Sequence, residues 1–344
     1  MSHSQISRSF VRMLFQKCLY QLGIYVFLYY SWKSLSYLVQ FGRNCSFQTM
    51  KIYIFQLRLT IPYFKRKLEG KKQQIIQSIR KELNQPICEN ELFLYTTLSM
   101  KSDSTKWIQE QIQSSLKLGT FQWKDGKVSG TIYTNPHSEL QQLMTSVFPY
   151  YYLSNPLHPD IFPGVRKMEA EIIQMVANLF HSPDPSAGSF TTGGTESILL
   201  ACRAYRELAK QKGIDRPSII ICHSAHAAYW KAADYFGIEL IEISFDRQID
   251  MYGQLPIAQL ESVIQSNTVA VIASAPTFHF GIVDDIQSIA EFCYHRYLYL
   301  HVDMCLGGFL LPFLEDYHHI SFQLPGITSI SVDTHKYGCG PKGI

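Results

Sequence analysis

From residue 165 onward, segments with apolar positions at helical spacing alternate with short runs that are almost wholly apolar. VRKMEAEIIQMVANLF (165–180) and SILLACRAYRELAKQKG (197–213) carry apolar residues three and four apart, with a Gly-rich turn at 191–195 between them. This spacing predicts amphipathic helices. The run SIIIC (218–222) predicts a buried strand, followed by a helix over 227–237 and a strand over 238–245. LPIAQLESVIQ (255–265) reads as a helix, TVAVIASA (268–275) as a strand and DDIQSIAEFCYHR (284–296) as a helix. LYLHVD (298–303) and ITSISVD (327–333) complete the set of strands. Continuous apolar strands between helices indicate a mostly parallel, doubly wound α/β sheet buried on both faces. Ligands of such sheets bind at the carboxyl ends of the strands.

The chain before this region is patterned differently. Residues 18–32 are apolar and aromatic, and SLSYLVQF extends the stretch to residue 41. A spanning helix needs about 20 mostly apolar residues, a length reached here only by including Gln21 and Lys33. The Lys can snorkel and the Tyr and Trp residues suit a headgroup belt. The segment 18–40 is therefore read as a candidate transmembrane anchor, with an amphipathic surface helix or a targeting segment as alternatives. Residues 70–116 are polar and helix-prone, with a narrow stripe of Ile75, Ile76 and Ile79 expected to pack. The expected organisation is a leader over 1–64, a helical connector over 65–116 and a large domain over 117–344.

Charge sharpens this division. Of 31 Lys and Arg residues, ten precede Glu69, which is the first acid of the chain. The remaining 21 bases face 28 acids, so an acidic body follows a basic, aromatic leader. That asymmetry suits a membrane surface, and the body has no basic stripe of the kind nucleic acid requires. The eight cysteines form no CxxC pair and no regular spacing, so they read as reduced thiols, and no metal is expected.

Four segments place chemically unusual residues at strand ends or helix starts. Phe190–Ser197 contains Gly193, Gly194 and Thr195 at a helix opening, where free N–H groups favour an anion such as phosphate. His226 lies among small residues after SIIIC, where its ring can lie against an aromatic ligand. Asp303 ends an apolar strand, where an unpaired carboxylate is costly and calls for a cationic partner. Lys336 follows the last strand beside His335, and a cleft there is expected to lower its ammonium pKa enough for Schiff-base chemistry. Each alone has a plain alternative: a capped helix, a structural His, a cap, a surface Lys. Together they are the parts of a pyridoxal 5′-phosphate site, in which an Asp keeps the pyridine ring cationic as an electron sink.

The stretches 154–172, 192–208, 224–237, 301–310 and 327–343 resemble the sphingosine-1-phosphate lyase family, fold-type-I pyridoxal phosphate enzymes related to group II decarboxylases. The resemblance runs from about residue 115 to the end, with a looser match at 61–72. GGTES and DTHK are shared with other decarboxylases, whereas NPLHPDIFPG and HVDMCLGGF point to the lyases. It implies that Lys336 carries the cofactor, Asp303 pairs with its pyridine nitrogen and His226 stacks on its ring. Gly193, Gly194 and Thr195 would hold its phosphate, with His335 nearby. Lys342, Tyr133, Asn155 and His158 match positions lining the family's cleft, Lys342 with a role toward the substrate phosphate or proton transfer.

The implied reaction is retro-aldol cleavage of sphingoid-base 1-phosphates. An amino-acid decarboxylase and a catalytically silent homologue are the alternatives. A homodimer at the endoplasmic reticulum membrane, its body facing the cytosol, is expected. Family members continue beyond the position of Ile344 into further strands and a small C-terminal domain, so the chain is expected to be truncated. Two departures stand out. Ser274–Gly281 reads SAPTFHFG where the family has approximately STPQFPHG, so Thr277, His279 and Phe280 differ, and Cys339-Gly340 replaces an aromatic-Ala pair.

Overall fold

A computed structural model describes residues 62–83, 104–117, 122–134, 138–244 and 253–342. The chain divides between Gly119 and Thr120 into two units. In the first, α1 spans Pro62–Leu83 and α2 spans Thr105–Leu116, and residues 84–103 of the expected connector lie outside the described residues. Ser104 caps α2 by accepting a hydrogen bond from the Trp107 N–H, which satisfies one of the amides that a helix start leaves unpaired. The Ile stripe expected to pack is instead 60% exposed at Ile75 and 49% at Ile79. Among the described residues no helix is long and apolar enough to cross a membrane. The segment 18–40 lies outside the described residues.

The second unit opens with α3 (Glu139–Tyr151) and α4 (Pro163–Leu179). Then come α5 (Gly194–Gln211), β1 (Ser218–Cys222), α6 (Ala228–Phe236) and β2 (Glu239–Ile243). They are followed by α7 (Ile257–Val263), β3 (Thr268–Ser274), α8 (Ile286–Arg296), β4 (Tyr299–Met304) and β5 (Ile327–Val332). The five strands are all parallel, in the order β2-β1-β3-β4-β5. β1 and β3 are buried along their whole length, as their unbroken apolar runs predict.

Alternate residues of each strand feed two cores. Ile219, Ile221 and Ile272 pack with α5 and α6 residues such as Ile198 and Tyr229. Ile220, Val271 and Val302 pack on the other face with Leu260 of α7 and Ile289 of α8. Each fully buried Ile contributes about 1.5–3 kcal/mol through burial. Ile220→Ala, which opens a cavity at the sheet centre, would cost about 2–5 kcal/mol.

Two features of the sheet position the site. The chain leaves β1 for β2 and returns on the other side of β1 as β3, so the strand order reverses between β1 and β3. Crevices at the carboxyl ends of strands open at such a reversal, and His226 lies there, beyond β1. The second feature is a shift of register between β4 and β5, where Leu300 pairs with Ile327 but His301 pairs with Ser329. Thr328, the extra residue, accepts from the Leu300 N–H at 3.0 Å and donates to the Leu300 carbonyl at 2.9 Å. Beyond the bulge His301 is level with Ser329 and Asp303 with Ser331. Polar residues of two neighbouring strands thus form one patch at the carboxyl end of the sheet.

Candidate active site

Gly193 opens α5 with φ of 140° and ψ of 175°, a conformation essentially reserved for glycine. Gly194 is needed for a different reason: a Cβ there would lie 2.7 Å from Asp333 Oδ2 and 2.9 Å from Cys305 Sγ. Glu196 reaches back and accepts from both the N–H and the hydroxyl of Thr192, each at 2.7 Å. That bracing, foremost the Thr192 N–H, holds the Glu196 carboxyl below its usual pKa. Helix geometry leaves the first-turn N–H groups, those of Gly194 and Thr195, without intrahelical acceptors.

Facing this cradle is the turn after β5. Lys336 Nζ lies 2.9 Å from Asp333 Oδ2, and His335 Nε2 lies 3.8 Å from the same oxygen. Here the expected lowering of the Lys336 pKa is reversed. Burial pulls the ammonium down, but the hydrogen bond and charge of Asp333, helped by Asp303, hold it above the ordinary lysine value. Asp333 stood in the sequence motif without an assigned role; its spacing of three before Lys336, within a turn, is the signal that locates it. His335 is held below the ordinary histidine value, first by burial, then by the charges of Lys342 and Lys336, against the pull of Asp333.

A cavity of about 310 Å³ brings together Gly193, Gly194, Thr195, His226, His335 and Lys336, all singled out from sequence, with Asp333 and Cys305. A larger space of about 770 Å³ runs along β5 and residues 182–191 and shares Gly193 and Asp333 with it. The His226 ring lies 5.3 Å from that of Phe278, tilted by 57°, and its Nδ1 accepts from the Ala228 N–H. Burial lowers the His226 pKa, and the Lys336 charge adds to this, while Asp303 opposes it. Phe278 belongs to the departing loop, whose His279 and Phe280 are exposed; Thr277 is buried and closes the turn by backbone bonds with Gly281 and Ile282.

Asp303 is buried at the end of β4, where Oδ1 accepts from the Cys305 N–H at 3.1 Å and from Ser331 Oγ at 3.5 Å. No cation of the described residues bonds it. Burial and the nearby carboxylates push the Cys305 thiol far above its usual pKa, so it is a neutral wall of the cavity. Tyr133 and Lys342 stand together beside the Lys336 turn. Lys342 Nζ is 5.3 Å over the Tyr133 ring, which packs edge-on against Tyr337 at 5.2 Å. Asn155 and His158 are exposed on a turn before α4, where Asn155 Oδ1 accepts from the Leu157 N–H, and they do not line the cavity. Cys339, one of the departures, takes φ of 56°, and its carbonyl accepts from Thr134 Oγ1.

These residues fit pyridoxal phosphate. His335 Nδ1 is buried without a hydrogen-bond partner, next to a glycine-lined helix start that suits a phosphate. The Lys336 amine, the His226 imidazole and the Asp333 carboxylate line the rest of the space, whereas Asp303, also expected there, is buried and does not line it. Comparison with known proteins agrees. Residues 89–344 match the pyridoxal-dependent decarboxylase conserved domain. Sphingosine-1-phosphate lyase 1 of Rattus norvegicus is 39% identical over 297 residues, 84% of this chain and 50% of that protein. The solved sphingosine-1-phosphate lyase of Burkholderia pseudomallei superposes with a TM-score of 0.67 at 33% identity, over 73% of this chain and 59% of that one. The glutamate decarboxylase of Lactobacillus brevis shares the fold at a TM-score of 0.62 and 23% identity, over 75% and 61% of the two chains. The chain spans about half the length of the curated relatives it matches. With the cradle, the lysine turn and the sheet all accounted for by that match, the chain belongs to the pyridoxal-dependent decarboxylase family.

Proposed function

We propose that the protein is a pyridoxal phosphate-dependent carbon–carbon lyase. It would cleave sphingoid-base 1-phosphates between C2 and C3 to a long-chain aldehyde and phosphoethanolamine. The observation that carries this reading is the similarity to sphingosine-1-phosphate lyases over most of the chain, against a likeness of fold alone to the glutamate decarboxylase. Bound at this site, the cofactor supplies a cationic ring that draws electrons from the bond being broken. The chain's residues have the remaining tasks. Gly193, Gly194, Thr195 and His335 would hold the phosphate, Asp303 would pair with the ring nitrogen and His226 would stack on the ring. Cleavage needs a proton to leave the C3 hydroxyl and one to arrive at C2. Lys336, His335 and His226 are among the groups lining the cavity that can carry a proton, and the charge of Lys342 is felt at His335. Lys342, 5.3 Å over the Tyr133 ring, is assigned to a substrate phosphate by resemblance, as Asn155 and His158 are to the substrate approach.

Incubation with a sphingoid-base 1-phosphate, and separately with acidic and aromatic amino acids, tests the reading. Release of long-chain aldehyde is the expected result. Release of carbon dioxide without aldehyde identifies a decarboxylase, and binding without turnover a silent homologue.

The acid-free leader supports a place at the endoplasmic reticulum membrane, with 18–40 as a single span and the body in the cytosol, and the family resemblance supports a homodimer. Deleting residues 1–60 should move the protein from the membrane pellet to the supernatant. Retention in the pellet would count against that placement.

A further inference from the structure

His301 is fully buried two residues before Asp303, on the same face of β4. Hydroxyls of β5 hold both its ring nitrogens: Nδ1 is 2.7 Å from Ser329 Oγ, and Nε2 is 3.2 Å from Ser331 Oγ. Ser329 Oγ also meets the Tyr205 phenol of α5 at 2.5 Å, and Ser331 Oγ reaches Asp303 Oδ1 at 3.5 Å. Five side chains from three elements form an unbroken polar line through the α5 face of the sheet. The bulge at Thr328 makes it possible, because it brings Ser329 and Ser331 level with His301 and Asp303.

The carboxylate end gives the line a direction. An ionised Asp303 only accepts, and a bond to a carboxylate is about twice as strong as one between neutral groups. Ser331 therefore gives its single hydroxyl hydrogen to Asp303 and accepts from His301 Nε2–H. His301 Nδ1 must then accept from Ser329, and Ser329 from Tyr205. At the far end Thr328 Oγ1, 2.9 Å from the phenol, has given its hydrogen to the Leu300 carbonyl, so it competes with Ser329 for the one phenol hydrogen, and Ser329 is the nearer acceptor. Tyr229 packs edge-on to His301 at 6.4 Å, but its hydroxyl bonds to nothing in the line.

We infer that His301 is a positioning residue for Asp303: kept as its Nε2–H tautomer by the Tyr205–Ser329–His301–Ser331 line, it fixes the orientation of the carboxylate through Oδ1. This role rests on the reading of Asp303 as the partner of the cofactor ring. A histidine that merely filled space would have no preferred tautomer and would be replaceable by an apolar side chain.

Two measurements test it, on the full chain. In the cofactor-free protein with ¹⁵N-labelled histidine, long-range correlation spectra locate the ring hydrogen, and His301→Gln identifies the His301 signals. A hydrogen on Nε2 is expected; one on Nδ1, or an imidazolium at neutral pH, overturns the inference. The second measurement is absorbance titration with pyridoxal phosphate. His301→Leu should weaken binding by about tenfold or more, the loss of one network member. His301→Gln, whose amide both donates and accepts, should restore most of it. Equal weakening in both variants at equal thermal stability overturns the inference. If His301→Leu fails to fold, the tautomer alone decides. If the wild-type chain binds no pyridoxal phosphate, the cofactor reading fails while the tautomer still judges the line.

Discussion

Lys336 Nζ and Asp333 Oδ2 stand 2.9 Å apart at the carboxyl end of β5, the carboxylate buried and the amine opening on the cavity. The amine is thus held in an ion pair. Its folded-state pKa is raised, so the pair stabilises the fold below the unfolded lysine value of about 10.4. That contribution is lost as the pH climbs through the raised value. Asp333→Asn should lower the titration midpoint of Lys336 by about a pH unit or more. The rate at which an acylating reagent modifies Lys336, followed by peptide mass spectrometry across pH 7–11, measures it. An unchanged midpoint would show that Asp333 does not hold the ammonium.

Gly194 marks a place where backbone and carboxylate approach too closely for any side chain. Gly194→Ala should destabilise the chain by about 1–3 kcal/mol, because Asp333 and Cys305 must give way. It should also weaken pyridoxal phosphate binding. Gly164, in the first turn of α4, has nothing within 4 Å of a built Cβ, so Gly164→Ala should be neutral or stabilising by up to about 1 kcal/mol. Equal losses in the two variants, read by urea denaturation, would refute the close-approach explanation.

Two buried groups oppose each other in acid. Burial pushes His301 down to about 4, against the pull of Asp303. Burial pushes Asp284 up to about 6, although its carboxylate accepts from the Ser274 and Leu255 N–H groups. His301 therefore resists a proton that the unfolded chain accepts, so its contribution to stability falls as the pH drops from about 6.5 to 4. Asp284 takes up a proton on folding, so its contribution rises as the pH drops from about 6 to 3.8. Each amounts to about 3 kcal/mol as an order of magnitude. Acidification from pH 7 to 4.5 should thus stabilise His301→Gln, and destabilise Asp284→Asn, relative to the wild-type trend. Unfolding midpoints that follow the same pH curve in all three proteins would contradict these assignments.

The sheet was readable in the sequence because β1 and β3 are buried on both faces, and SIIIC and TVAVIAS leave little alternative to a central parallel strand. α3 was not. Its apolar side chains are largely exposed, Phe148 by 68%, and Pro149 sits in its last turn, so no buried stripe announces it. Gly193, Gly194, His226, His335 and Lys336, which line one cavity, stand out in the sequence because each is chemically out of place at a strand end or helix start. Asp333 escaped because its role depends on the turn that folds it back onto Lys336. The Tyr205–His301 line escaped because it depends on a one-residue bulge at Thr328, which alternation of apolar and polar residues does not encode. The direction of the Lys336 pKa is hidden for the same reason: the sequence implies burial of the ammonium but not the buried Asp333 counter-charge.

The most direct test of the site is chemical attachment. The full chain, incubated with pyridoxal phosphate, reduced with borohydride and digested, should carry the pyridoxyl group on the peptide containing Lys336. The accompanying absorbance change should vanish in Lys336→Ala. Label spread over surface lysines, unaltered by Lys336→Ala, would contradict the assignment of this cavity as the cofactor site.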